Sequence, residues 1–304
     1  VPEPLLLELE HKIKELVTEN DHAIPELCEL LFPNVSGYSD VKLSLMCMMA
    51  NPYDGERRER IHVLLHGKPG CGKTALMEPL EANWGALYLS MDPSSASLKG
   101  DGRKDDHGIK KLHQYDGGIV CIDDFELMKE LNTLRDVMES GKYTITKGGT
   151  HTEYAARCRI IAATNDIAKV PAPVINRFDL IHKFDAPTIQ QSMAILDLML
   201  GENPDEVNYQ PMLQYYYSFV NAHDPVYTPK PEIREIFKVH FEKYGRPIES
   251  GQEGKEGKEG RWIAGVLRVA KALARLGLTD IGPDQISQAL EMKQQSDQII
   301  KGVN

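Results

Sequence analysis

Residues 61–76, IHVLLHGKPGCGKTAL, pass from an apolar run through a glycine-rich turn into a helix-forming segment, and their reading decides the fold. Gly67, Gly72, Lys73 and Thr74 have the G-x-x-x-x-G-K-[ST] spacing of a phosphate-binding loop. In such a loop Gly67, Gly70 and Gly72 are expected to take positive φ and to let successive N–H groups approach a polyphosphate. Lys73 supplies a point charge for the β- and γ-phosphates. Thr74 supplies a hydroxyl for Mg²⁺, and the start of the following helix adds its positive dipole end. Gly67, Pro69, Gly70, Cys71, Gly72, Lys73 and Thr74 are therefore the expected nucleotide-binding residues, and a nucleoside triphosphate the expected ligand.

Around this loop, short apolar runs alternate with helical periodicity. Strands are expected over 86–90, 119–122, 159–163 and 180–184, and a β-hairpin over 142–146 and 150–154, turning at Lys147-Gly148-Gly149. Helices are expected over 3–19, 25–32, 39–49 and 131–140. After residue 189 the pattern is helical throughout, over 192–200, 211–220, 231–244, 262–276 and 283–299. Strands alternating with helices imply an α/β fold with a parallel sheet covered on both faces, followed by a small α-helical domain beyond Ala186-Pro187. The polar stretch NPYDGERRER, 51–60, reads as a loop with a solvated charged face. Residues 94–116 read as an insertion or long loop, and SGQEGKEGKEG, 250–260, as a mobile charged linker.

The 304 residues carry a net charge of −10, which argues against a protein that coats nucleic acid with its whole surface, though a local basic element can still engage it. The five cysteines are scattered without C-x-x-C spacing and indicate neither a disulfide framework nor a zinc site; a reducing compartment is the simplest reading. No apolar run approaches the length of a membrane span, and the amino terminus lacks the zones of a signal peptide. The chain begins at Val1 rather than Met, which reads as a fragment or a processed product.

The run IVCIDD ends an apolar strand in acid. In a parallel sheet ligands gather at the carboxyl ends of strands, so Asp123 is expected to serve Mg²⁺ through water and Asp124 to orient an attacking water. The structural alternative is that both acids cap the next helix. Asn165, which elsewhere would be an ordinary turn residue, ends the strand after the hairpin, within reach of a γ-phosphate. Arg177 in PVINRFDL lies on the domain rim, where it is either solvated or a cation supplied across a subunit boundary.

GKPGCGKT, IVCIDDFELM, LRDVMESG, GKYTITKGG with EYAARCRIIAATN, and VPAPVINRFDL stand in an order and spacing that resembles the AAA+ module of minichromosome-maintenance (MCM) replicative helicases. PNVSGYSDVK is similar to the stretch before that module's core, and GRWIAGVLRVAKALARLGLTDIGPDQISQAL to its lid helices. The resemblance implies an AAA+ P-loop NTPase with a five-stranded parallel sheet and a helical lid. It divides the chain into a helical linker and start of the core, 1–50, an ATPase domain, 51–186, and a lid, 187–304. It implies an ATPase and DNA helicase that binds ATP and Mg²⁺, the metal held by Thr74 and Asp123, and that forms a ring, a hexamer of copies, on single-stranded DNA, with no membrane partner. Catalysis would fall to Lys73, Asp123, Asp124, the sensor Asn165, the arginine finger Arg177 and the second sensor Arg261, the two arginines acting on a neighbouring subunit's nucleotide. Tyr38 would sit near the adenine. Lys147 would track DNA from the hairpin tip, six such lysines forming a cationic collar, and 94–116 would hold a second channel-facing insertion. The compartment implied is the cytoplasm at the nucleoid, or the nucleus.

Asp124 stands where the family has Glu, which implies slow hydrolysis, because a carboxylate one methylene shorter sits farther from the water. That substitution keeps a second reading open, a nucleotide-binding paralogue that barely turns over. A third is an AAA+ remodeller of protein.

Overall fold

The computed structural model describes residues 17, 23–33, 35–50, 59–90, 109–128, 131–147, 150–200, 209–245 and 256–302. Helices α1 (Ala23–Leu31) and α2 (Ser39–Met49) precede strand β1 (Val63–Gly67), which turns into α3 (Lys73–Trp84). Strand β2 (Leu87–Ser90), α4 (Ile109–Gln114), β3 (Ile119–Asp123) and α5 (Leu131–Ser140) follow, then the hairpin β4 (Lys142–Lys147) and β5 (Thr150–Ala155). Strand β6 (Arg159–Thr164), the single turn α6 (Ala172–Ile175) and β7 (Leu180–Phe184) complete the α/β part. Helices α7 (Ile189–Leu200), α8 (Gln210–Ala222), α9 (Lys230–Tyr244), α10 (Glu256–Leu276) and α11 (Pro283–Lys301) close the chain.

Five strands form a parallel sheet in the order β2-β3-β6-β1-β7. The apolar runs of these strands are continuous because both faces are covered. Side chains alternate between the faces: Val63, Leu65, Cys121, Ile161 and Ala163 join α2, α3, α10 and α11 in one core, while Leu64, Val120, Ile122, Ile160 and Ala162 join Phe125, Phe178 and α5 in the other. Strand β1 lies between β6 and β7, whereas the next strand in sequence lies at the far edge. The sheet therefore changes its direction of growth at β1, and the crevice that opens at a switch point falls at the end of β1, on the glycine-rich turn.

A buried polar junction fastens the carboxyl-terminal helices to this sheet. Asp179, 4% exposed, accepts the His62 N–H at 3.1 Å and pairs with Arg268 of α10, while its carbonyl accepts from Lys293 of α11 at 2.7 Å. Gly265 makes the approach possible, since a Cβ there would lie 3.3 Å from Asp179 Oδ1. A second buried pair joins Glu59 to Lys271 at 2.8 Å and to Arg275 at 3.4 Å.

Three expectations change. Glu59 and Arg60, read as part of a solvated face, are buried: Glu59 pairs as above, and Arg60 donates to the Val137 carbonyl at 2.9 Å, while 51–58 lie outside the described residues. The end of the expected 94–116 loop is ordered as α4, with Asp116 accepting the Arg157 N–H at 2.6 Å; residues 94–108 lie outside the described residues. Residues 256–260 of the expected linker form the first turns of α10, and 250–255 are not described. Of the expected helix over 3–19, only Val17 is described, helical and buried.

His62 sits where the two cores meet. Its Nδ1 accepts the Ile160 N–H at 3.1 Å, which puts the ring proton on Nε2, 3.2 Å from the Met138 carbonyl. Burial, with Arg60 nearby, pushes the ring down from 6.5 to about 3. His182, half-buried with Nε2 2.8 Å from Ser44 Oγ, is pushed by desolvation from 6.5 to about 4. Both folded values lie below the unfolded one, so on acidification the unfolded chain takes up protons first. This contribution to stability is full above the ordinary histidine range and is lost as the pH falls through the folded values. Stability against urea is expected to fall by up to about 1.4 kcal/mol per pH unit for each histidine as the pH drops below that range. His62→Gln is expected to flatten the slope, and urea midpoints that coincide at pH 7 and pH 5 would contradict this account.

Candidate functional site

The turn after β1 assigns its glycines different tasks. Gly70 and Gly72 take φ of 81° and 88°, as expected, whereas Gly67 does not take positive φ. Gly67 is required for space instead: a Cβ there would lie 2.5 Å from the Phe184 carbonyl oxygen of β7. Gly72 caps α3, and Gly70, Gly72, Lys73 and Thr74 line one crevice, so the helix amino terminus lies at its wall.

Lys73, 6% exposed, folds back over the loop. Its Nζ donates to the Gly67 carbonyl at 2.6 Å, the Lys68 carbonyl at 2.9 Å and Asn165 Oδ1 at 3.0 Å, which uses all three ammonium protons. Burial pulls its pKa below the ordinary lysine value, against the opposing pull of Asp123, Glu126 and Asp124. Asn165 directly follows β6, the strand next to β1, and so reaches across. Its Nδ2 donates to Asp124 Oδ1 at 3.0 Å, so one amide links the lysine of the loop to the acid that follows β3.

Asp123 ends β3, where its Oδ2 accepts from Thr74 Oγ1 at 3.0 Å and from Tyr88 OH at 2.8 Å. Asp124 follows in the left-handed region at φ 48°, a conformation that a short polar side chain tolerates. Its pKa is raised, first by burial and then by Asp123 and Glu126, with the Asn165 hydrogen bond and Lys73 opposing. Glu126 accepts the Asn165 backbone N–H, with its two oxygens at 3.1 and 3.2 Å.

A cleft of about 460 Å³ is lined by Pro69, Gly70, Gly72, Lys73, Thr74, Glu78, Asp123, Asp124 and Asn165. Tyr38 lies beside it: its hydroxyl donates to the Cys71 carbonyl at 3.4 Å, and its ring stacks on Phe184 at 4.6 Å. Pro69, Gly70, Gly72, Lys73 and Thr74 of the loop thus come together with Asp123, Asp124 and Asn165 in one cleft. Arg177 and Arg261 do not line the cleft; both pair with Glu139, at 2.7 and 3.4 Å. Lys147 closes the described part of the hairpin opposite Thr150, while the tip residues 148–149 and the Lys147 side chain lie outside the described residues.

Tyr88, Glu126, Glu78 and Glu139 were not singled out from sequence. Glu78 stands four residues after Thr74 on α3, a spacing that puts both on one helix face and could have been noticed. Tyr88 and Glu126 have no such signal, since only the register of β2 on β3 and the turn after β3 bring them in.

The cleft fits Mg²⁺ with a polyphosphate. The open glycines at 70 and 72 have nothing within 4 Å of an added Cβ, and a hydroxyl and a carboxylate already converge beside them. Among the described residues no group of three or more His, Cys, Asp or Glu forms a metal site by itself, and none of the helices is long and apolar enough to cross a membrane. Mg²⁺ ordinarily takes one or two carboxylates together with substrate phosphates.

The raised pKa of Asp124 means that the fold disfavours its ionised form, so its charge costs stability once the pH exceeds the unfolded value of 3.8. Asp124→Asn keeps an acceptor for Asn165 and removes the charge. It is expected to raise the thermal midpoint of the protein without nucleotide at pH 7.5, with the gain shrinking as the pH approaches 4. A midpoint that stays put or falls at pH 7.5 would refute the electrostatic reading.

Comparison with known proteins adds an independent line. The MCM P-loop domain family matches residues 9–192. The chain is 25% identical to DNA replication licensing factor MCM5 of Oryza sativa subsp. indica over 341 aligned residues, covering 96% of the chain and 46% of that protein. It is 28% identical to MCM3 of Entamoeba histolytica, covering 59% and 34%, and 26% identical to MCM4 of Oryza sativa subsp. japonica, covering 89% and 36%. The chain therefore spans less than half the length of each of these relatives.

Proposed function

The chain belongs to the MCM family, and from that premise we propose that it is the ATP-hydrolysing motor module of a ring, a hexamer of copies, that moves along single-stranded DNA. The observation that carries the reading is the hydrogen-bonded line from Lys73 through Asn165 to Asp124, set beside the Thr74–Asp123 pair in one cleft. The names of the relatives, DNA replication licensing factors, support a role at replicating DNA, in the nucleus or at the nucleoid.

On this reading Lys73 exchanges loop carbonyls for phosphate oxygens, and the N–H groups around Gly70 and Gly72 take the rest. Thr74 and Asp123 would hold Mg²⁺, which would supply neutralisation of the phosphate charge. Asp124 orients the attacking water, and Asn165 reports on the γ-phosphate because it touches both Lys73 and Asp124. Tyr38 lies on the side where the adenine would rest. Arg177 and Arg261, which do not line their own chain's cleft, serve the nucleotide of a neighbouring copy. Lys147, at the end of β4, belongs to a collar of hairpins around the DNA backbone; its role rests on strand position alone.

Lys73→Ala is expected to abolish DNA-stimulated ATP turnover, and the mass in solution of the unaltered protein is expected to rise towards six copies with ATP and single-stranded DNA. Turnover that survives Lys73→Ala would overturn the assignment. A second reading, a chain that holds ATP and hardly cleaves it, is kept open by Asp124 standing where the resemblance expects Glu. Under the motor reading Asp124→Glu raises a slow but measurable rate by up to ~100-fold; under the second reading neither form turns over.

A further inference from the structure

Arg177 and Arg261 come from different elements, the loop after α6 and the second turn of α10, and they meet on one carboxylate. Each oxygen of Glu139 takes one arginine: Arg177 Nη2 donates to Oε2 at 2.7 Å and Arg261 Nη2 to Oε1 at 3.4 Å. Glu139 is the penultimate residue of α5, where the helix dipole favours a cation and disfavours a carboxylate. Helix stability therefore does not account for it. The last carbonyls of α5 are already served by Arg60, at 2.9 Å from Val137, and by His62, at 3.2 Å from Met138. Glu139 projects from this fixed end.

Two guanidinium groups brought together without an anion repel one another, whereas a carboxylate between them fixes both the distance and the orientation of their planar forks. Arg177 is mostly buried and its Nε lacks a hydrogen-bond partner, so Glu139 supplies the ionic restraint on that side chain. We propose that Glu139 is a positioning residue that gathers Arg177 and Arg261 into one pair and presents it to the triphosphate held by a neighbouring copy of this chain. The inference rests on the motor reading above and adds to it a residue that touches neither nucleotide nor metal.

The test compares the unaltered protein with Glu139→Gln, which keeps the shape and loses the charge, and Glu139→Asp, which keeps the charge on a shorter arm. Glu139→Gln is expected to lower kcat for ATP by at least ~10-fold while the affinity of the dilute single chain for a fluorescent ATP analogue stays within about twofold, because Glu139 lies outside its own cleft. Glu139→Asp is expected to retain more activity than Glu139→Gln. In sedimentation with a non-hydrolysable ATP analogue, Glu139→Gln is expected to need several-fold more protein for the same assembly.

Mixing separates positioning across the interface from a structural effect. Glu139→Gln and Lys73→Ala, each poorly active alone, are expected to recover turnover when combined, since the Lys73→Ala copy supplies intact arginines to its neighbour's cleft. The double variant mixed with Glu139→Gln is expected to recover none. An active unaltered protein matched by Glu139→Gln, or a mixture without recovery, overturns the role of Glu139 alone. An unaltered protein without DNA-stimulated turnover overturns the motor reading and this inference with it.

Discussion

The buried carboxylate of Asp179 is the constraint on which the arrangement of this chain turns. A carboxylate removed from water is costly unless paired, and removing one partner of a buried pair typically costs about 3–5 kcal/mol. Here the partners come from three places: the N–H of His62 ahead of β1, the guanidinium of Arg268 on α10 and, at the Asp179 carbonyl, the ammonium of Lys293 on α11. Those charges hold the Asp179 pKa below the ordinary value although burial pushes the other way. Arg177 is two residues away on the same loop and Arg261 seven residues away on the same helix as Arg268, so the junction that seats the helices on the sheet also sets the two arginines. Gly265 is part of the constraint, because α10 comes too close to Asp179 to carry a larger residue without displacement.

The cleft depends on a different economy of atoms. Lys73 has three donors and three acceptors, two of them carbonyls of its own loop, so its charge is held in place before any ligand arrives. On the proposed reading, taking up a phosphate would exchange one set of acceptors for another, and Asn165, being one of the three, would respond. Because the same amide donates to Asp124, a change at Lys73 reaches the acid after β3 through a single side chain. The backbone N–H of Asn165 is fixed on Glu126, which leaves the amide group as the part free to turn.

Much of this was legible in the sequence, and the limit of legibility has a physical form. Strands such as IVCID and RIIAAT announce themselves because a sheet covered on both faces needs unbroken apolar runs. The phosphate loop, Asp123, Asp124 and Asn165 follow from their places at strand ends. Burial of polar residues was not legible. Glu59 and Arg60 stand in a run of charges that reads as solvated, yet their partners, Lys271 and Val137, lie at separations of 212 and 77 residues. Periodicity records which face of an element meets the core; it holds no record of which distant ion satisfies a buried charge. The same limit hid Tyr88, Glu126 and Glu139, each defined by a partner on another element. Gly67 shows the complementary error, where the right residue was expected for the wrong reason, φ in place of contact with Phe184.

The charge around the cleft bears on how a triphosphate could enter it. Glu78, Asp123 and Asp124 line the space and Glu126 stands behind Asn165, against the single ammonium of Lys73. A bare polyphosphate would meet more negative than positive side-chain charge, and at close range in a partly buried site such repulsion is not screened as it is in bulk water. On the proposed reading two features would offset it: the amino end of α3 at the wall of the cleft, and a divalent cation carried with the phosphates. The pKa of Asp124 is raised in the protein alone, first by burial and then by that crowding with Asp123 and Glu126. On the proposed reading the acids therefore do more than hold a metal. They disfavour a triphosphate that comes without its cation, and the arginines that would complete the neutralisation are set on Glu139, at a distance from the cleft of their own chain.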